Sequence, residues 1–133
     1  MLGWPESTGR VIPVTGARGT GNVVSLEARF GAIAEQTIGI GVRGISAEAV
    51  AHEAATAMVQ YLNSDAVVGK RLADQLQLPL ALMGQGQIKM PLPSNHFKTN
   101  ARVIAAFTGK SFTIESQGNR TILATVSTTA ADT

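Results

Sequence analysis

Cysteine is absent from this chain of 133 residues, and aromatic residues make up only 5% of it. The lack of cysteine excludes disulfides, thiolate nucleophiles and cysteine-based zinc sites. The scarcity of aromatic residues predicts a core of aliphatic and alanine side chains. Because the chain has only two histidines, a histidine-rich metal centre is not expected either, and no metal-ligating residue is assigned.

Charged residues and long apolar runs are also scarce. Charged residues are 15% of the chain, against about 25% in a typical globular domain. The net charge of +2 permits RNA binding without implying it, because a protein that coats a polyanion carries a denser basic patch. No run approaches the roughly 20 apolar residues of a membrane span, and the N-terminus lacks the pattern of a signal peptide. We therefore expect a cytoplasmic protein that makes no membrane contact.

The first part of the chain predicts three strands. A short edge strand is expected at Arg10–Thr15, and alternation of apolar and polar residues predicts half-buried strands at 22–30 and 34–42. The inward side chains expected in the last of these are Ile38, Ile40 and Val42. Gly39 would then face the other way, where its missing side chain lets another part of the chain approach the backbone closely.

Two helices are predicted next. The more regular pattern spans Ser46–Asn63, with Ser46 as its N-cap. The side chains expected on its buried face are Val50, Ala54, Met58 and Tyr61. The second helix is predicted over Val67–Leu82, and Pro79 should kink it or end it. Its buried side is expected to carry Leu72, Leu76 and Leu80.

The last part of the chain predicts a strand, a short helix and a hairpin. The strand spans Gln87–Leu92, and after a polar loop Thr99 or Asn100 is expected to cap a helix. A hairpin over 110–116 and 120–127 follows. This order predicts an α+β fold of two layers, with helices packed on a mixed β-sheet. Residues 1–127 are expected to form a single domain, and 128–133 a flexible tail.

His96 is the side chain best suited to chemistry. It follows a predicted strand and precedes a helix N-terminus, where free backbone N–H groups favour a phosphate. A neutral imidazole in such a place can attack phosphorus and form a phosphoramidate. The spacing by itself, however, favours an ordinary surface histidine.

Asp74 and Gln75 interrupt an apolar helical segment. An acid beside an amide there could line a pocket for a metal, a ribose or a catalytic histidine. The pattern alone places Asp74 about 160° from the leucine stripe and favours a solvent-exposed face. Three basic residues could contact phosphates near the histidine, unless they are ordinary solvated charges: Lys89, Lys98 and Arg102.

Two separate motifs resemble the C-terminal part of the RNA 3′-terminal phosphate cyclases. One is the Ala-Asp-Gln triplet at 73–75 within Gly69–Leu82, and the other is the His-x-x-Thr-Asn sequence at 96–100. The similarity extends to 18–24, to 44–50 and to the final hairpin, so it covers most of the chain. Two motifs at the family's spacing are a stronger signal than either one alone.

The resemblance implies a βαβαββ unit and an enzyme that uses ATP, with magnesium or manganese, to convert an RNA 3′-phosphate into a 2′,3′-cyclic phosphodiester. It implies that His96 attacks the α-phosphate of ATP and carries AMP, which then passes to the RNA 3′-phosphate end. It also implies nucleotide-binding roles for Asp74, Gln75 and Arg71. Arg71 stands where relatives often have an aromatic residue or a histidine that can stack on adenine.

The chain lacks the family's N-terminal glycine-rich signature and its inserted domain. The resemblance therefore implies a C-terminal part that is inactive alone and needs the N-terminal cyclase region in cis or in trans. The alternative is a non-catalytic RNA-binding or ribosome-assembly factor of the same fold, and a third possibility is a remnant that only associates with itself. Because the loss of sister repeats uncovers apolar surface, we also expect a homo-oligomer.

Overall fold

The computed structural model describes residues 2–19 and 21–128. Within them, five strands and three α-helices follow a short 3₁₀ turn at Glu6–Thr8. The elements are β1 (Val23–Phe30), β2 (Ile33–Ile40), α1 (Ala47–Leu62), α2 (Lys70–Met83), β3 (Gln87–Pro91), α3 (Asn95–Thr108), β4 (Lys110–Gly118) and β5 (Thr121–Thr128). The predicted α+β class is confirmed. From β2 onward the order is βααβαββ, which is the βαβαββ order implied by the resemblance with one additional helix.

The described strands form two small antiparallel sheets, whereas the sequence predicted one mixed sheet. β1 pairs with β2, and β3 pairs with β5, which in turn pairs with β4. The difference arises because two of the pairs are local hairpins, and β3 joins the free edge of β5 rather than that of β2. Helix α1 packs on the β1–β2 hairpin, while α2 and α3 pack on each other and on the three-stranded sheet.

Most of the buried apolar side chains lie in two clusters, one on each sheet. The larger cluster consists of Val68, Ala73, Ile88, Met90, Phe97, Ile122 and Ala124. The smaller consists of Ala28, Met58 and Tyr61. Two hydrogen bonds connect the α1 half to the segment that leads into α2: the Tyr61 hydroxyl donates to the carbonyl of Val67 at 3.0 Å, and Glu35 accepts from the Gly69 N–H at 2.8 Å.

The prediction for α1 is confirmed almost residue for residue. Ser46 is the N-cap, and its hydroxyl accepts a hydrogen bond of 3.2 Å from the Ala49 N–H. The buried side chains of the helix are the four predicted ones, Val50, Ala54, Met58 and Tyr61. A single dominant stripe at helical spacing explains this success, since only one rotation of the helix buries it.

The alternation predicted for β2 is correct, but its phase is wrong. The face of β2 that meets α1 carries Glu35, Thr37 and Gly39, and the Thr37 hydroxyl donates to the Ala54 carbonyl at 2.9 Å. Ile40 is 65% exposed on the other face. Gly39 does allow the predicted close approach, because a Cβ there would overlap the carbonyl oxygen of Val50. Helix α1 lies so near β2 that a large aliphatic side chain has no room between them.

Helix α2 begins later and ends later than predicted. It starts at Lys70 and continues for four residues beyond Pro79, to Met83, before Gly84 ends it at a φ of 72°. Proline removes one N–H and does not end the helix here. At the N-terminus, Arg10–Thr15 is exposed and forms no strand, so that prediction is wrong.

Helix α3 begins at Asn95, before the caps predicted at Thr99 or Asn100. Its N-cap is Ser94, whose hydroxyl accepts a hydrogen bond of 3.0 Å from the Phe97 N–H. At the end of the chain, β5 includes Thr128, and residues 129–133 of the predicted tail lie outside the described residues. None of the helices in the described part of the chain is both long enough and apolar enough to cross a membrane.

Candidate functional site

His96 lies in the first turn of α3, not in a loop, and it is exposed. The first N–H groups of a helix have no acceptor within it, so they carry a partial positive charge that favours a phosphate. Next to it, Phe97 is completely buried, and its ring packs edge-on against Phe112 at 6.0 Å between centroids. The buried neighbour fixes the helix to the core, and the histidine is left facing solvent.

Gln77 links α2 to this first turn. Its side chain is completely buried, and its Nε2 donates a hydrogen bond of 2.9 Å to the carbonyl of Phe97. The fully buried positions of α2 are Ala73, Gln77 and Ala81. The predicted leucine stripe beside them is only partly buried. The buried side of α2 is therefore rotated toward α3, because the helix packs on a second helix as well as on the sheet.

Asp74 lies at the edge of this buried side, one turn before Gln77, and this corrects the solvent-exposed face that the pattern favoured. Its Oδ1 atom is buried and has no hydrogen-bond partner among the described residues. A buried acceptor of this kind calls for a donor, and a hydroxyl group of a nucleotide sugar is one that fits. Gln75, in contrast, is exposed on the opposite side of the helix.

A cleft of about 550 Å³ opens beside the N-terminus of α2, between β2 and α1. Arg71 lines it, one turn before Asp74, together with Lys70 and Arg120. The only ion pair in residues 2–19 and 21–128 joins Glu27 to Arg29, so these three cations have no carboxylate partner there. Two carboxylates, Glu35 and Glu53, line the cleft as well, so its charged lining has a small positive excess, which favours an anionic ligand.

Glu35 and Tyr61 line the same cleft. Glu35 is only 6% exposed, and its carboxylate lies at the N-terminus of α2, where the helix dipole stabilises negative charge. Burial raises the pKa of the Tyr61 hydroxyl above its usual value of 10.0, and the negative charge of Glu35 raises it further.

The structure does not bring the three other basic candidates to His96. Lys98 and Arg102 share a face of α3, as their spacing predicts. That face is on the far side of the helix, because His96 lies about 100° to one side of the buried Phe97 and Lys98 about 100° to the other. Lys89 alternates with two buried residues of β3, so it lies on the face of the sheet away from α3.

The part of the chain that the structure describes contains no preformed site for a divalent metal ion. No group of three or more histidine, aspartate or glutamate side chains is clustered there. The described residues thus offer no preformed metal site of their own, and we derive no step through a metal.

Four residues of this region escaped the sequence analysis. Ser94 had a readable signal, since serine just before a helix is a preferred N-cap. Gln77 lies between Ala73 and Ala81 at helical spacing, a weaker signal of a buried position. Lys70 and Arg120 had none, because they come from distant parts of the chain and only the fold places both at the cleft.

Comparison with known proteins gives one consistent result. A family model described as RNA 3′-terminal phosphate cyclase matches residues 5–114. The RNA 3′-terminal phosphate cyclase of Salmonella paratyphi C is 40% identical over 112 residues, which are 84% of this chain and 33% of that protein. The cyclase of Ralstonia nicotianae is 38% identical over 119 residues, 90% of this chain and 34% of its own length. The chain thus spans about a third of the length of these relatives.

Proposed function

Because this chain belongs to the RNA 3′-terminal phosphate cyclase family, we propose that it is the C-terminal part of an ATP-dependent cyclase. That enzyme converts an RNA 3′-phosphate into a 2′,3′-cyclic phosphodiester. The observation that carries the proposal is His96, an exposed imidazole in the first turn of a helix, inside the segment that matches the family. A cytoplasmic location belongs to the same proposal, since ATP and processed RNA ends meet there.

The proposed chemistry begins at the His96 ring. One ring nitrogen forms a bond to the α-phosphorus of ATP, while the bond from that phosphorus to pyrophosphate breaks and pyrophosphate leaves with the electron pair. The other ring nitrogen keeps its proton, so the ring leaves as neutral imidazole when an oxygen of the RNA 3′-phosphate displaces it and takes the AMP. The ribose 2′-hydroxyl finally attacks the RNA phosphorus and releases its proton to solvent, and AMP leaves with the electron pair of the broken bond as the ring closes.

Three residues of α2 are proposed to hold the nucleotide. Asp74 offers a buried acceptor for a sugar hydroxyl, and Arg71 contributes a cation with a flat surface that can stack on adenine. Gln75 is exposed, so we propose that it contacts the nucleotide only at the solvent-exposed edge of the site. We do not extend the proposal to Lys89, Lys98 and Arg102 as phosphate contacts near His96; Lys98 and Arg102 remain available to the RNA backbone on another face of α3.

The proposed partners are RNA 3′-phosphate ends, the remaining cyclase region and a second copy of this chain. The outer surfaces of α2 and α3 support the last two, because they expose Leu78, Leu82, Val103 and Phe107. Side chains of this size leave water when another chain covers them. The isolated chain is proposed to be inactive, since the described residues supply no metal cluster.

Labelling with ATP that carries a radioactive α-phosphate tests the function. This chain would replace the matching third of the Ralstonia nicotianae cyclase, and the chimeric protein would be incubated with the labelled ATP. We expect covalent labelling that His96→Ala abolishes and His52→Ala retains, since His52 is exposed on the distant helix α1. Labelling that survives His96→Ala would refute the proposal. A folded chimera that binds RNA and takes up no label would favour the non-catalytic alternative.

A further inference from the structure

Phe97 is held at three different points. Its N–H donates to the Ser94 hydroxyl, its ring lies in the core, and its carbonyl accepts from Gln77. The first contact is local to α3. The third comes from α2, the helix that carries Asp74, and it links the two helices directly at the first turn of α3.

We propose that Gln77 is a positioning residue for His96, acting through the carbonyl of Phe97. The inference rests on the proposed function, because it assigns Gln77 a part in the same reaction. A nucleophile attacks phosphorus in line with the departing pyrophosphate, so a small displacement of the imidazole costs rate even when ATP binds normally. Gln77 sets that alignment because its buried side chain ties the residue next to His96 to the helix that holds the nucleotide.

Packing alone would favour an apolar side chain at position 77 over the amide of Gln77. The Oε1 atom of Gln77 is buried and has no partner among the described residues, as is true of Oδ1 of Asp74. A methionine or leucine would fill the same space without leaving a polar atom unpaired. The one hydrogen bond that the amide does make is to the carbonyl beside His96, which points to a role at that position.

The first test uses this chain alone. In Gln77→Met the volume is retained and the donor is lost, so the ¹³C signal of the Phe97 carbonyl should shift. The carbonyl signal of His52 is an internal reference that should not change, because His52 lies on α1. Gln87→Met is the matched control, since Gln87 is exposed on β3. An unchanged Phe97 carbonyl signal would refute the contact itself.

The second test separates positioning from folding. In the chimeric cyclase, Gln77→Met should lower kcat for self-adenylylation by about tenfold to a hundredfold and leave KM for ATP unchanged. A residue that only stabilises the fold would lower the melting temperature without this selective loss of kcat. Equal changes in kcat and KM, or no change in either, would overturn the inference.

Free imidazole gives a sharper version of this test. In His96→Gly, added imidazole can take the place of the missing ring and form adenylyl-imidazole, but it is not tethered to α3. Gln77→Met should then have no further effect on the rate. If Gln77→Met still slows the reaction of free imidazole, the residue acts on the nucleotide pocket and not on His96.

A second variant covers the case in which Gln77→Met does not fold. Gln77→Glu has nearly the same shape, lacks a donor when ionised and regains one when protonated. The Phe97 carbonyl signal of this variant should return toward the wild-type value as the pH falls through the pKa of that carboxyl. A signal that stays at its high-pH value after protonation would refute the inference. If instead His96→Ala keeps its label, the proposed function fails and the positioning role fails with it, whereas the carbonyl signal still tests the Gln77 contact independently.

Discussion

The carboxylate of Glu35 accepts a hydrogen bond of 2.8 Å from the backbone N–H of Gly69, which lies 34 residues further along the chain. Gly69 is the N-cap of α2, so Glu35 does from a strand what the third-residue glutamate of a capping box does from within a helix: it accepts from the N–H of the N-cap residue. The contact leaves no room for a side chain at position 69, because a Cβ there would overlap the carboxylate. It joins the β1–β2 half of the molecule to the helix that carries the candidate nucleotide residues.

Removal of this carboxylate should destabilise the fold. Glu35→Ala leaves the buried Gly69 N–H without an acceptor, and we expect the free energy of unfolding to fall by about 2–3 kcal/mol. Glu35→Gln keeps an acceptor and should cost about 1 kcal/mol. Urea unfolding measures both values, with the exposed Glu115→Gln as the control. A loss below about 0.5 kcal/mol for Glu35→Ala would contradict the structural role.

Stability should also depend on the ionisation of Tyr61. Burial, and then the charge of Glu35, raise the pKa of the Tyr61 hydroxyl in the folded chain above 10.0. The folded state therefore favours the protonated tyrosine, and this contribution is complete at pH values below about 10 and is lost as the pH rises through the raised pKa. Tyr61 is the only tyrosine, so tyrosinate absorbance reports on it alone. In Tyr61→Phe the free energy of unfolding should therefore fall less steeply as the pH rises above about 10. A pH dependence of stability identical to that of the wild type would count against the prediction.

Gly39 is predicted to tolerate no side chain. A Cβ at this position would overlap the carbonyl oxygen of Val50, a backbone atom that can move only together with α1. We expect Gly39→Ala to lower the free energy of unfolding by about 1–3 kcal/mol. Gly19→Ala is the matched control, since a Cβ there meets no atom of the other described residues within 4 Å. Equal stability of the two variants would show that α1 does not lie this close to β2.

The two serine N-caps offer a comparison of local stability with function. Ser94→Ala and Ser46→Ala each remove one hydroxyl that accepts a backbone N–H, so each should cost about 1 kcal/mol of stability. Only Ser94 caps the helix that bears His96. In the chimeric cyclase, Ser94→Ala should therefore slow self-adenylylation, whereas Ser46→Ala should leave its rate unchanged. The prediction is wrong if both variants reduce the rate equally.

Self-association should depend on the outer surface of α2 and α3. Phe107 is 88% exposed there and Leu82 is 71% exposed. A second copy of the chain would therefore bury the ring of Phe107 and the aliphatic side chain of Leu82. Phe107→Glu should shift the sedimentation of the isolated chain toward the monomer. Val11→Glu is the control, because Val11 is 94% exposed and belongs to the N-terminal segment that precedes β1 rather than to these helices. Association that persists in Phe107→Glu would move the interface elsewhere.

Sequence reasoning was most successful where one local pattern dominates. The α1 stripe, its Ser46 cap and the final hairpin were predicted correctly, since each depends on neighbours within a few residues. The motifs at 73–75 and 96–100 also identified the family, which the comparisons confirm for residues 5–114. The assignment of His96, Asp74, Gln75 and Arg71 to a nucleotide site stays a prediction.

The contacts between distant segments were decided by the tertiary structure alone. The sequence predicted that β2 alternates, but α1 determined which face is buried, because it approaches Gly39 too closely for an isoleucine at that position. Likewise, the leucines of α2 suggested a narrow buried stripe, and packing against α3 extended that stripe to Gln77 and the edge of Asp74. Periodicity gives the repeat along an element, whereas the partner that packs on it sets the direction of its buried side.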